Sequence, residues 1–354
     1  MATIPPVQPG LSYAPAGTRP EPAAVVGHGG GNGAAGAAPA AAAVEAAIVD
    51  PLMAALTEAL ATAAPRQNGL APLFADLEVL VAQPDIPQPV RDAGQALLNL
   101  RLPSDAVNGL SLQQAVARSG VFLEAMLASG KLPGATAGDN VKSALQALRG
   151  ALQNLLGIDA APPDLHAPPP LPPFRGSLPV AQPPVPASIV DTGLRQAAIK
   201  VLSQTDAAIA RHVMLQIASL PASQQPSHPP DDHTQRLVFD IPLTTPTGTA
   251  VMQLQIEREA PRERHQQAPV WSVRFAVDIE PLGAVRARVS QIGDRTSVTM
   301  VADRPASAAT LQQHIARLEI ALTQAKLQPG DLHCLSHEAP KVTAPQGQFV
   351  NRAS

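Results

Sequence analysis

The chain of 354 residues is long enough for two or three domains, yet it holds 39 Pro and 24 Gly, while only 2% of its residues are aromatic and 15% charged. Its 45% hydrophobic share is inflated by alanine, which buries little area at about 25 cal/mol per Å²; this excludes one large globular enzyme and leaves the folded parts to Leu, Val and Ile. A formal net charge of −3 gives no overall attraction to nucleic acid or anionic lipid, and the single Cys334 excludes an intrachain disulfide or a thiolate metal cluster.

The opening MATIPPVQPGLSYAPAGTRP has neither a basic n-region nor an apolar h-region, so no cleavable secretory signal is expected. No run reaches 18 apolar residues, so no membrane insertion is expected. Residues 1–44 offer too little apolar surface to offset chain entropy and are expected to be disordered. Their Gly-rich run at 27–40 lacks the Lys-Ser/Thr pair of a phosphate loop.

Residues 45–157 predict five short amphipathic helices. Asp50-Pro51 reads as an N-cap followed by proline at the first helical position, where its missing N–H costs nothing. Leu52, Leu56 and Leu60 share the first face, Leu73, Leu77 and Leu80 the second, and Val90, Leu97 and Leu98 the third. Ser111 and Gln114 predict a capping box for a fourth helix running to Gly130. The fifth is predicted from Asp139 to Gly157, with Val141, Leu145, Leu148, Leu152 and Leu155 on one stripe.

Eleven prolines in 158–188 predict a semi-stiff polyproline spacer, placed at 158–190. A helix at 191–220 carries Leu194, Val201, Ile209, Val213 and Ile217, and a second linker follows at 221–234. From 235 to 340 the period changes to two, the mark of half-buried strands. Leu237, Phe239 and Ile241 alternate, TTPTGT supplies a turn, and Met252, Leu254 and Ile256 alternate again, which predicts a hairpin.

Trp271, Val273, Phe275, Val277 and Ile279 mark the strongest strand, interrupted by Glu280-Pro281-Leu282-Gly283. Val285, Ala287 and Val289 restart the alternation with Arg286 and Arg288 on the outer face, and Gly283 is expected to permit a bend or bulge. Val298, Met300 and Ala302 form the next strand. One helix at about 307–326 (Leu311, Ile315, Leu318, Leu322) and a short strand from Leu332 to Leu335 complete the pattern, with a disordered tail at 341–354. The fold class expected is α+β: a small C-terminal mixed sheet with one packed helix, preceded by short helices and long disordered segments.

The segments WSVRFAVDIEPLGAVRARV, SQIGDRTSVTMVAD and LQQHIARLEIALTQAKLQPGDLHCLS show a Trp-led strand, a Leu-Gly-x-Val step, a polar turn, a strand, an amphipathic helix and a last strand. This order resembles the C-terminal domain of the flagellar hook-length control family, although Pro281 stands directly before Leu282, where many members place proline or an acidic residue earlier. The resemblance implies export through the flagellar type III apparatus, contact with the cytoplasmic domain of the export-gate switch protein, and a switch from hook-type to filament-type export. It also implies an encounter with hook and hook-cap subunits, a cytoplasmic and then secreted location, and a monomer with no cofactor.

The roughly 230 residues before this domain would span at most about 800 Å when extended, enough to gauge tens of nanometres. Glu280, Pro281, Leu282, Gly283, Val285, Arg286 and Arg288 are the candidate contact residues, because a bent, edge-like strand offers backbone groups and charge. The competing reading makes Leu282 and Val285 core and the arginines solvated.

No catalytic constellation is present. The His228, Asp231, Asp232 and His233 cluster lies in a Pro-rich linker with nothing to orient it as a metal site, and His333 and Cys334 of the H-C-x-x-H run should face opposite ways on a strand. The alternative function is a non-flagellar secreted or adaptor protein whose small α+β domain docks another partner.

Overall fold

A computed structural model describes residues 51–121, 140–159, 169–174, 177–220, 234–259 and 269–336. Expectations for 1–50, for Phe122 to Asp139, for most of the first half of the spacer, for the 221–233 linker with its His and Asp cluster, and for the tail with His337 fall outside these residues.

Helical spacing of apolar residues produces α1 (Pro51–Ala63), α2 (Leu70–Ala82), α3 (Gln88–Leu98), α4 (Gly109–Ala117), α5 (Val141–Leu156) and α6 (Leu194–Ala218). Leu73, Phe74, Leu77 and Leu80 of α2, Leu97 of α3, Leu145, Leu148 and Leu152 of α5, and Val201 and Leu202 of α6 meet in one solvent-free core. Each such side chain contributes roughly 1.5–3 kcal/mol on burial.

Two helix boundaries differ from the sequence reading. The capping box of α4 is built by Asn108, whose side chain accepts from the N–H groups of Leu110 and Ser111 at 3.0 Å, while Ser111 Oγ accepts from Asn108 N at 2.8 Å. Ser111 is therefore the third helical residue, with Asn108 supplying the cap three positions upstream. The helix closes at Ala117, because Gly120 takes a left-handed φ of 82° and Arg118 O accepts from Val141 N at 2.9 Å, which brings α5 back to the end of α4. At the end of α5, Gly157 provides the expected left-handed cap.

Among the described residues, the period-two segments and a two-residue strand form a seven-stranded mixed sheet in chain order: β1 (Leu102–Pro103), β2 (Thr234–Thr245), β3 (Gly248–Glu259), β4 (Val270–Ile279), β5 (Gly283–Ile292), β6 (Arg295–Ala302) and β7 (Gln328–Ser336). The run β2–β6 is an antiparallel meander, whereas β1 pairs with β2 and β7 with β6 in parallel. β1 is too short for any alternation to announce it. Between β6 and β7 the predicted single helix is two, α7 (Pro305–Gln313) and α8 (Ile315–Gln324), broken at His314.

Phe239, Ile241, Met252 and Leu254 on one face pack against Leu215 and Ala218 of α6. The opposite face of the β2–β3 hairpin sends Val251 into the helical core. Residues 177–190 of the expected spacer are docked as well. Gln182 forms a two-way backbone bridge with Val251, at 3.1 and 2.8 Å, and Ile189 is buried. A sequence rich in proline still packs when single apolar and amide side chains find a cleft.

Polar groups fasten this junction. Asp240 of β2 is buried and accepts from Arg211 Nε of α6 at 2.5 Å, from Gln253 Nε2 at 2.9 Å and from Gln182 Nε2 at 3.3 Å. Arg211 Nη1 also donates to Gln67 Oε1 at 2.9 Å, and Leu70 N donates to Gln182 Oε1 at 2.9 Å. A second buried carboxylate, Asp76, accepts from Ser188 Oγ at 2.6 Å and Gln204 Nε2 at 2.7 Å. Helix α6 is thus buried on several sides, and its single apolar stripe understates how much of it is inside.

His212, next to this network, is buried, and burial lowers its pKa from 6.5 to about 4, with the Gly120 carbonyl opposing the shift. The folded state therefore holds neutral imidazole, while the unfolded chain takes up a proton near pH 6.5. Between pH 6.5 and 4 the unfolded state binds more protons, so stability falls as pH falls through this window and is unaffected by His212 above it. Thermal melts from pH 7.5 down to 5 should show this decline, about 2 kcal/mol by pH 5, and His212→Gln should flatten the slope above the carboxylate range.

Candidate functional site

Cross-strand packing sets the position of the segment singled out in the sequence. Val273, Phe275 and Val277 of β4 stand opposite Val289, Ala287 and Val285 of β5. The pair Ile279↔Gly283 makes Glu280–Leu282 the three-residue connection of a hairpin, with a cis peptide at Glu280-Pro281. Gly283 thus completes a reversal of the chain, where a bend or bulge was expected. Its φ of 69° is left-handed, which favours glycine, and a Cβ there would lie 2.7 Å from Arg304 Nε, so it would also push the Arg304 side chain from its place on the turn.

Arg304, at the N-cap of α7, closes this turn. Its two terminal nitrogens donate to Glu280 Oε2 and Oε1 at 2.8 Å each, and Nη1 also reaches Pro281 O at 3.0 Å. Ser307 Oγ donates to Leu282 O at 2.7 Å. The hydrogen bonds from Arg304 hold the Glu280 carboxyl below its ordinary pKa, whereas burial raises that of Asp278 nearby. The bidentate fork matches carboxylate geometry and orients α7 against the turn.

The seven candidate residues consequently fall into three places. Glu280 and Pro281 are exposed at the turn. Leu282 is half-buried and packs on a small core of Val285, Ala302 and Ala308 with Leu311 and Cys334, and Gly283 is buried between them. Arg286 and Arg288 are exposed on the other face of β5, Arg286 lying 3.6 Å from Asp303. Carboxylates introduced at Leu282 and Val285 would enter the core, so such changes probe folding as well as contact.

Sequence reasoning missed Arg304 and Ser307. The available signal was the Arg304-Pro305 step after β6, since proline at the first helical position marks the start of α7 beside the turn. Trp271, at the open end of β4, is 42% exposed, with Arg258 over its ring at 5.5 Å. His333 is exposed, while Cys334 turns to the opposite face and donates to Ala308 O at 3.3 Å. Among the described residues no group of three His, Cys, Asp or Glu side chains could hold a metal ion.

Comparison with curated proteins and with solved structures gives no match. A family model does match, and its span of residues 261–341 takes in β4, β5, β6, α7, α8 and β7 together with the clamped turn. The model is that of the flagellar hook-length control protein FliK, and this C-terminal part of the chain is a flagellar hook-length control domain.

Proposed function

We propose that the protein controls flagellar hook length: it leaves the cytoplasm through the flagellar type III apparatus during hook growth and switches export from hook-type to filament-type substrates. The observation that carries this reading is the family match over 261–341. The family is a non-enzymatic one, and among the described residues no helix is long and apolar enough to cross a membrane. In this reading the hook-length control domain meets the cytoplasmic domain of the export-gate switch protein. The Pro-, Ala- and Gly-rich residues before it gauge or time growth in contact with hook and hook-cap subunits.

Deleting the gene should give overlong hooks without filaments, measured on purified hook–basal bodies by electron microscopy. Expression of the full chain in trans should restore normal length. Hooks of normal length bearing filaments in the deletion strain would overturn the proposal.

A further inference from the structure

On the sheet face opposite α7, register places Gln255, Arg274, Arg288, Thr299 and His333 in one row across β3–β7, buried at Gln255 and open at Arg288 and His333. Two residues further along, Ala276, Arg286, Val301 and Leu335 form the next row. Rows so related lie roughly 7 Å apart and neighbouring strands about 4.8 Å apart. Three arginines, Arg274, Arg286 and Arg288, therefore stand at neighbouring positions of β4 and β5 on this face. Arg274 stands directly opposite Arg288, a placement that disfavours the free state unless anions intervene.

The internal anions are insufficient for that. Arg274 reaches Glu257 at 3.2 Å, but Glu257 also pairs with Arg236. Arg286 lies 3.6 Å from Asp303 with half of its side chain exposed. Glu280 is occupied by Arg304, and Asp278 lies at the turn beside that same arginine. Among the described residues no carboxylate lies within ion-pair distance of exposed Arg288. α7 and α8 pack their apolar residues on the other face, with Ala308 and Leu311 against Val285 and Cys334, and do not supply one.

From this arrangement we infer that the outer face centred on Arg288 binds an acidic segment of a partner protein, its carboxylates bridging Arg288 to Arg274 and Arg286. Val301 and Leu335, the latter 52% exposed, receive an apolar side chain beside them. Strand β7 ends the sheet order, so its outer backbone edge is open among the described residues to an extended segment. A protein partner is favoured over nucleic acid, because acidic Glu257 and Asp303 lie within the patch and the chain has a net charge of −3. A nucleic-acid footprint would need a continuous basic stripe. The inference rests on the proposed function for its probe and assigns the contact to Arg288, apart from the clamped turn.

The test measures binding of the full chain to the cytoplasmic domain of the export-gate switch protein at low and high salt. Wild type should bind more weakly at high salt, and Arg288→Glu should weaken binding about tenfold or more while lowering the salt dependence. Arg288→Lys should retain most of the affinity. Arg317→Glu, on exposed α8, is the control and should bind as wild type. Arg288→Lys and Arg317→Glu should melt as wild type, and Arg288→Glu should melt no lower than wild type, since it replaces a like-charge cross-strand pair and Arg288 packs into no core.

Unchanged affinity of Arg288→Glu alongside firm wild-type binding would overturn the inference and leave the proposed function standing. Absence of binding by wild type would remove the partner reading and the inference with it. Arg288-dependent binding to duplex DNA of equal charge, without binding to the protein domain, would overturn the inference in favour of a nucleic-acid surface.

Discussion

Asp240→Ala is expected to destabilise the protein by about 3–5 kcal/mol, because it leaves the Arg211 guanidinium buried without its anion. The side chains of Arg211 and Asp240 are 1% and 2% exposed, so water cannot stand in for the lost carboxylate. Arg211→Ala should cost a similar amount, stranding Asp240 with only the amides of Gln253 and Gln182 as donors. The double change Arg211→Met with Asp240→Leu should cost much less than the sum, since both desolvated charges are removed together. Urea titration of the four proteins tests this, and additive losses would show that the pair is not coupled. At stabilities of 5–15 kcal/mol, either single change removes a large part of the total.

A fragment limited to 261–354 is expected to fail to fold and to aggregate, although it contains the whole segment matched by the family model. Cutting there removes β3, which pairs with β4 over seven residues from Gln253↔Ala276 to Glu259↔Val270. The new edge would expose a full row of N–H and C=O groups beside Val273, Phe275 and Val277, a ready template for intermolecular pairing. Residues 49–354, which keep the helices, the docked 177–190 segment and the complete sheet, should instead be monomeric with a cooperative melt. Gel filtration and circular dichroism separate the outcomes. A monomeric fragment with a cooperative melt would show that the matched segment closes its own core.

Much of the architecture was legible in the chain. Strands at Leu237–Ile241, Trp271–Ile279 and Val298–Ala302 follow from period-two alternation, and α5 follows from Leu145, Leu148 and Leu152 and the Gly157 stop, because both signals are local. The hook-length control segment was legible too, through the order of those elements. The candidate site was legible only in part: the register separated Arg286 and Arg288 from Leu282 and Val285, but nothing local linked Glu280 to Arg304, 24 positions away.

Polar residues on alternating positions read as solvent-facing, and for Arg274 and Arg288 that holds in differing degree. For Asp240 and Gln253 it fails, since α6 and the 177–190 segment cover that face from elsewhere in the chain. By itself, then, the sequence determined where the longer helices and strands lie, because backbone preference and apolar period act over a few residues, but not two-residue β1 or the break at His314. Only the tertiary structure decided which polar face is inside, which carboxylate each arginine meets, and that the hook-length control domain shares one sheet with the residues before it. Burial and charge pairing depend on groups brought together from distant positions.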